Sequence, residues 1–181
     1  KYASVIYVYT LVVNVFRMIF TTLQNAIAAS FGDLVAHGDE KRTIEIFNVI
    51  TYLFTGLGFI LYSTTAILMI SFVKLYSAGA RGVGYVYSDL ATIICVYMMV
   101  YTSFMLFELL INTFGLYGKV LRMNIILFII STIISVIFAI YDFQYVYIGG
   151  IIYYLGGNLY RFYLLKFREK LSINFSICIV R

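Results

Sequence analysis

The sequence predicts an all-α polytopic membrane protein with about five transmembrane helices. Of its 181 residues, 63% are hydrophobic and only 12% are charged. A soluble domain is about half apolar and about a quarter charged, so one soluble core cannot hide this surplus. The apolar residues also form long continuous runs, whereas the strands of a membrane β-barrel alternate apolar and polar residues. A helical bundle in a bilayer therefore fits the chain better than a soluble domain or a barrel.

Five apolar runs follow one another, each with roughly the 20 residues that a helical span needs. The predicted spans are about residues 2–30, 46–73, 89–114, 120–141 and 145–165, followed by a cytoplasmic tail, 166–181. Between the first two, Gly38 suits the residue just after a helix and Asp39 suits the cap of the next one. The chain begins with Lys1 rather than Met. We therefore expect a single transmembrane region that is a fragment, with earlier spans upstream.

Basic residues are distributed unevenly between the two sides of the predicted bundle. If the spans alternate in direction, one side carries nine of them: Lys41, Arg42, Lys119, Arg122, Arg161, Lys166, Arg168, Lys170 and Arg181. The other side carries three: Lys1, Lys74 and Arg81. Because Lys and Arg accumulate in cytoplasmic loops, the richer side is predicted to be cytoplasmic. The net charge of +5 thus sets membrane orientation, and we expect no nucleic-acid partner.

Signatures of catalysis and of metal binding are lacking in the sequence. The two cysteines, Cys95 and Cys178, form no CxxC motif, and His37 is the single histidine. We therefore expect no metal site and no disulfide framework. No nucleophile–base pair or phosphate-cradling glycine loop is present. These features favour a carrier over an enzyme, with no cofactor.

A polar stripe runs along the first span. Its positions are separated by steps of four, three, four, three and four residues: Thr10, Asn14, Arg17, Thr21, Gln24 and Ala28. This spacing keeps one face of an α-helix, while the residues between are mostly large and apolar. The helix is therefore two-sided, with one face for lipid or packed neighbours and one polar face.

Arg17 stands near the middle of this span, where a charge costs a few kcal/mol to insert. Such residues usually face a bundle interior or a wet cavity and mark a substrate path. A guanidinium stays protonated and donates two parallel hydrogen bonds to carboxylate or phosphate oxygens. Arg17, with Asn14, Thr21 and Gln24, is therefore the candidate binding site for an anionic, sugar-like or diphosphate ligand. Alternatively, Arg17 snorkels or pairs with Glu108 and locks the bundle.

Glu108, in the third span, has two possible roles. It could carry a coupling proton, as carboxylates in transporters often do. Its predicted place near the cytoplasmic end of the span also suits a structural partner for a nearby cation.

Small residues repeat along the last two spans. Ser131, Ser135 and Ala139 recur every four residues, and Gly149, Gly150, Gly156 and Gly157 pair at intervals of seven. Small residues on one face let helices approach closely, so we predict that they pack the helices together. The glycines could instead permit bending during transport.

Two segments carry a family resemblance. The first, "AASFGDLVAHGDEKRTIEIFNVITYLF", ends a span in small residues and Phe-Gly, then gives an acidic-basic loop and a new amphipathic start. The second, "FGLYGKVLRMNIILFIISTIISVIFAI", is a short basic loop followed by a span. Together they resemble the C-terminal half of bacterial polysaccharide or O-antigen repeat-unit flippases. These Wzx-type proteins share a superfamily with MATE multidrug exporters and lipid II flippases.

The resemblance implies part of a two-bundle MATE-like fold of about twelve to fourteen spans around a central cavity. It also implies transport of a lipid-diphosphate-linked oligosaccharide for capsule, O-antigen or exopolysaccharide synthesis, with Arg17 as counterpart of a cavity arginine. The partners would then be this substrate, membrane lipids and the remaining N-terminal bundle of the same protein. Two alternatives remain: a multidrug exporter of the same fold, and a multi-pass membrane glycosyltransferase or polymerase.

Overall fold

The protein was analysed as a computed structural model, which describes residues 2–38, 40–78 and 84–168. The described residues are mostly helical and contain no strand. Its five α-helices are α1 (Tyr2–Ala36), α2 (Glu40–Tyr76), α3 (Ser88–Thr113), α4 (Tyr117–Tyr141) and α5 (Tyr147–Tyr163). Several residues used in the sequence analysis lie outside the described residues: Lys1, Asp39, Arg81, Lys170, Cys178 and Arg181. Of the predicted tail, only the first three residues are described.

The prediction of an all-helical chain is confirmed for the described residues, and the helices are compatible with a multi-pass membrane protein. Among the described residues, four helices, α1 to α4, are long and apolar enough to cross a membrane. The fifth predicted span differs from the structure, because its first residue belongs to a 3-10 turn, Phe143–Tyr145. This turn forms because the Asp142 carboxylate accepts a hydrogen bond from the Gln144 backbone N–H at 3.1 Å. α5 itself has 17 residues and continues into a π-helical turn, Leu164–Arg168.

The first two helices are longer than the apolar runs that predicted them. α1 has 35 residues and α2 has 37. At 1.5 Å per residue each is over about 50 Å long, whereas the hydrocarbon core of a bilayer is about 30 Å thick. The helices therefore extend beyond the predicted spans into the segment around Gly38. This glycine has φ +75° and ends the first helix, as its sequence position predicts.

α3 is the central helix of the described bundle. It packs against α1, α2 and α5, while α1 also contacts α2 and α4 packs against α5. In the most apolar 18-residue window of α3, 56% of the residues are buried inside the protein, compared with 11% in α4. Most of the α4 surface therefore faces lipid or further protein.

Two contacts fix the relative positions of neighbouring helices. The Tyr9 hydroxyl of α1 donates to the Tyr85 carbonyl at 2.9 Å and accepts from the Tyr87 N–H at 2.8 Å, which ties α1 to the start of α3. At the other contact, Gly149 of α5 lies against the backbone of Ser131 in α4, and a Cβ at Gly149 would collide with it. The predicted packing role of these small residues is therefore confirmed for this pair.

Candidate functional site

The polar stripe of α1 lines an open groove of about 480 Å³. Asn14, Arg17 and Thr21 line it together with Met18 and Thr22, so the structure brings together three of the four predicted binding residues. All the lining residues belong to α1, and the groove therefore opens at the surface of the described helices. The Arg17 side chain is exposed, whereas Asn14 and Thr21 are half-buried.

Gln24, the fourth predicted residue, does not line this groove and makes a contact between two helices. Its side-chain Nε2 donates a hydrogen bond of 2.8 Å to the backbone carbonyl of Met105 on α3. An amide that bonds across two membrane helices holds them together. Gln24 therefore fixes α1 against α3 one helical turn away from Thr21, and its carbonyl oxygen remains as an acceptor.

The hydroxyl of Thr21 is also engaged, within its own helix. It donates to the Arg17 carbonyl at 2.8 Å, and its oxygen lies 3.9 Å from the Met105 sulfur. Thr22 donates in the same way to the Met18 carbonyl at 2.9 Å. The side chains left to contact a ligand through strong donors are therefore Asn14 and Arg17, with the threonine oxygens as acceptors.

Arg17 contacts an aromatic ring rather than a carboxylate. Its Cζ lies 5.5 Å from the centroid of the Tyr101 ring on α3, within the range of a cation–π interaction. In the described part of the chain, no ion pair within 4 Å joins Arg17 to Glu108. The pair with Glu108 that would lock the bundle is thus not formed, and Arg17 remains a lining residue of the groove.

Glu108 lies elsewhere, on the same face of α3 but two turns further along. It is half-buried and interacts electrostatically with Arg161 and Tyr153 of α5. The structure therefore does not bring Glu108 into the α1 groove. Of the two roles predicted for it, the placement beside a cation suits the structural one, and proton coupling stays a prediction.

Arg161 is the site residue that the sequence analysis missed, because it was counted among the charges that set orientation. Only 1% of its surface is exposed. Its Cζ lies 3.9 Å from the centroid of the Phe104 ring. Its Nε and Nη1 are buried and have no hydrogen-bond partner among the described residues. A sequence signal did exist, since Gly157 stands four residues before Arg161 on the same helix face and makes room for a large side chain.

A continuous row of aromatic rings connects the two arginines. Tyr101, beside Arg17, lies 5.2 Å from Tyr154 between ring centroids, and Tyr154 lies 4.8 Å from Phe104, beside Arg161. These spacings are typical of aromatic pairs in contact. The face of the bundle formed by α3 and α5 is therefore aromatic, with a cation at each end.

Two further clefts lie between helices. One, of about 510 Å³, separates α4 from Tyr97 and Tyr154; the other, of about 460 Å³, lies between α2, α3 and α5. The second is mostly apolar, but the Thr51 hydroxyl and the Asn158 carbonyl oxygen are buried there without a partner among the described residues. No cluster of three or more His, Cys, Asp or Glu side chains in the described ranges could hold a metal ion.

Comparison with known proteins adds no relative to this description. No family model matches the chain, and neither a curated protein nor a solved structure is significantly similar to it.

Proposed function

We propose that the chain is part of a flippase, a transporter that moves a lipid-diphosphate-linked oligosaccharide across the cytoplasmic membrane of a bacterium. The product would supply polysaccharide synthesis, such as capsule, O-antigen or exopolysaccharide. The observation that carries the proposal is Arg17, a permanent cation near the middle of a long apolar helix, beside a groove with polar walls.

The chemistry of the groove suits an anionic headgroup. A charge near the middle of a membrane helix costs about 2.5–3.5 kcal/mol on insertion scales. Arg17 has no carboxylate partner within the described residues to offset this cost. A diphosphate offers the paired oxygens that a guanidinium binds in bidentate fashion, and it would supply the missing counter-charge.

The residues around Arg17 suit a saccharide. Asn14 offers an amide that can both donate to and accept from sugar hydroxyls, and Thr21 and Thr22 offer acceptor oxygens. The adjoining Tyr101 and Tyr154 rings present apolar faces with polar edges. The polar face of α1 thus offers a cation and an amide next to aromatic rings of α3 and α5.

The proposed mechanism is alternating access. The open groove on α1 would face a second helical bundle of the same protein, as the family resemblance implies, and the two bundles would rock around the midplane site. Binding of the diphosphate would shift the equilibrium between the two states, and net movement between leaflets would need a gradient of the substrate or of a coupled ion.

The test uses the full-length protein reconstituted in proteoliposomes with a fluorescent lipid-diphosphate-linked oligosaccharide. Flipping is measured as the fraction of fluorophore that a membrane-impermeant reductant can reach. We expect Arg17→Ala to lower the flipping rate at least about tenfold, because a charged hydrogen bond contributes about 1.5–3 kcal/mol. Arg17→Lys keeps the charge and should retain part of the rate.

Met18→Ala is the matched control, since Met18 lines the same groove without a charge. It should leave flipping nearly unchanged. Normal flipping by Arg17→Ala at an equal amount of folded protein rejects the anion role. Transport of organic cations by the wild-type protein, without flipping, would support a multidrug exporter instead.

A further inference from the structure

The guanidinium of Arg161 is buried without a protein acceptor for two of its nitrogens. The side chain is 1% exposed, and neither Nε nor Nη1 has a hydrogen-bond partner among the described residues. Buried charges in proteins are almost always paired and hydrogen-bonded, because an isolated ion is costly to remove from water. The geometry around Arg161 therefore calls for an acceptor that those residues do not provide.

The side chain is held in a shaped cradle. The face of the Phe104 ring covers one side of the guanidinium, with Cζ at 3.9 Å from the ring centroid. Gly157, one turn earlier on α5, lies beside both the ring and the guanidinium. A Cβ there would lie 2.6 Å from the Phe104 ring and 2.8 Å from Arg161 Nη1. Ring and glycine together fix the plane of the guanidinium.

Three groups on the surrounding helices interact with the guanidinium of Arg161. Glu108 of α3 and Tyr153 of α5 interact with Arg161 electrostatically, as does Tyr117 at the start of α4. Glu108 is the carboxylate of this group, and no ion pair within 4 Å joins it to Arg161 in the described chain. Glu108 is half-buried and Tyr117 is exposed, so they mark the side from which a ligand could enter.

We propose that Arg161 is the anchor of a second anion site, which binds a phosphate-type oxyanion at the end of the bundle where α4 begins. A planar guanidinium with free N–H groups matches the oxygens of phosphate, which can accept two parallel hydrogen bonds. Glu108 limits the affinity, because its negative charge repels the incoming oxyanion. The site is independent of the flippase function and of the Arg17 groove.

The oxyanion has two possible sources. One is the phosphate headgroup of an anionic lipid, since basic sites between membrane helices near the cytoplasmic side bind such headgroups. The other is free phosphate in water. Both offer Arg161 the same chemistry, so the experiment is designed to separate them.

The test measures thermal unfolding midpoints of the full-length protein in nanodiscs. In phosphatidylcholine nanodiscs, inorganic phosphate is compared with sodium chloride at equal ionic strength. In a second arm without phosphate, phosphatidylglycerol replaces part of the phosphatidylcholine. A ligand that binds the folded state raises the midpoint. We expect a larger rise for the wild type than for Arg161→Gln in at least one arm.

Three further variants test whether the rise depends on the Arg161 guanidinium. Arg17→Gln is the matched control and should keep the Arg161-dependent rise. Glu108→Gln should lower the apparent dissociation constant for the oxyanion several-fold, because it removes the repelling charge. Arg161→Lys should raise that constant about tenfold or more, because an ammonium cannot donate in bidentate fashion.

A rise with phosphate alone identifies a free oxyanion, and a rise with phosphatidylglycerol alone identifies a lipid headgroup; both support the site. Equal anion-induced rises in the wild type and Arg161→Gln under all conditions overturn it. So does a lower midpoint of Glu108→Gln without any anion, because Glu108 would then be the acceptor that Arg161 needs. None of these outcomes decides the flipping assay, which depends on Arg17.

Discussion

Arg17 and Arg161 are both arginines in apolar helices and both face an aromatic ring of α3, yet their surroundings differ. Arg17 is exposed, with its Cζ 5.5 Å from the centroid of the Tyr101 ring. Arg161 is 1% exposed, with its Cζ 3.9 Å from the centroid of the Phe104 ring. The same residue type therefore serves as a reachable cation in one place and as a packed, desolvated cation in the other.

The difference shows that an arginine near the end of a span can be more deeply buried than one near the middle of a span. What decides the burial is which neighbouring residues leave room for the side chain. Gly157 lets α5 hold its own arginine against α3, whereas α1 has no glycine one turn before Arg17, where Val13 packs into the core. Four pairs of substitutions around the two sites test this conclusion. They are given in order, beginning with the pair expected to have the largest effect.

Charge reversal should separate the two arginines most strongly. We expect Arg161→Glu to lower the free energy of unfolding by about 5 kcal/mol or more, because each buried unpaired charge costs several kcal/mol and Glu108 lies nearby. Arg17→Glu should change it by less than about 1 kcal/mol, since the site is exposed. SDS titration of the purified protein in mixed micelles measures both. Equal losses would contradict the contrast.

Removal of the ring beneath the Arg161 guanidinium should have the next largest effect. Phe104→Ala should lower the free energy of unfolding by about 3–5 kcal/mol, because it creates a cavity under a buried charge. Tyr101→Phe keeps the ring beside Arg17 and should cost less than about 1 kcal/mol, which makes it the control at the exposed site. The same titration applies. A cost below about 1 kcal/mol for Phe104→Ala would show that the cradle contributes little.

Adding a methyl group to the cradle is expected to be less severe. Gly157→Ala should cost about 1–3 kcal/mol, because the new Cβ would meet both Phe104 and Arg161. Gly156→Ala is the neighbouring control. Its Cβ would approach the end of the flexible Leu127 side chain at 2.9 Å, which can move away. We therefore expect a smaller cost for Gly156→Ala in a chemical denaturation series. The reverse order would mean that α5 is rotated from the orientation described here.

The smallest effect is expected at the hydrogen bond that places α1 on α3. Gln24→Leu removes the donor to the Met105 carbonyl and should cost about 0.6–1.7 kcal/mol, the range of interhelical bonds in membranes. Thr22→Val is the control, because the Thr22 hydroxyl bonds within its own helix. Thermal unfolding midpoints in detergent measure the stability of both variants. If Thr22→Val costs as much as Gln24→Leu, the interhelical bond does not contribute.

The helices and the α1 groove could be predicted from the sequence because each depends on local pattern. Long apolar runs determine membrane helices, and steps of three and four residues brought Asn14, Arg17 and Thr21 to one groove. The full lengths of α1 and α2 were underestimated, because a helix can continue beyond the apolar run that would lie in the hydrocarbon core of a bilayer. The start of α5 was misplaced because the Asp142 turn depends on a single side-chain hydrogen bond.

The burial of Arg161 could not be predicted from the sequence pattern of α5. Near the end of the last span, a basic residue resembles any charge of the cytoplasmic interface. Its burial depends on Phe104, more than fifty positions earlier in the chain, and on how closely α5 approaches α3. Likewise, Gln24 has the spacing of a groove residue, and only the position of the Met105 carbonyl shows that its amide is engaged.

The contact between Gly149 and Ser131 has a mechanical consequence. The two backbones lie so close that no side chain fits between them at Gly149, so α5 cannot rotate about its axis or slide along α4 without first separating from it. Any rearrangement of the bundle would therefore move α4 and α5 together as one rigid body. The hinge of such a movement would lie outside this pair of helices. A cross-link between α4 and α5 should therefore not block the movement.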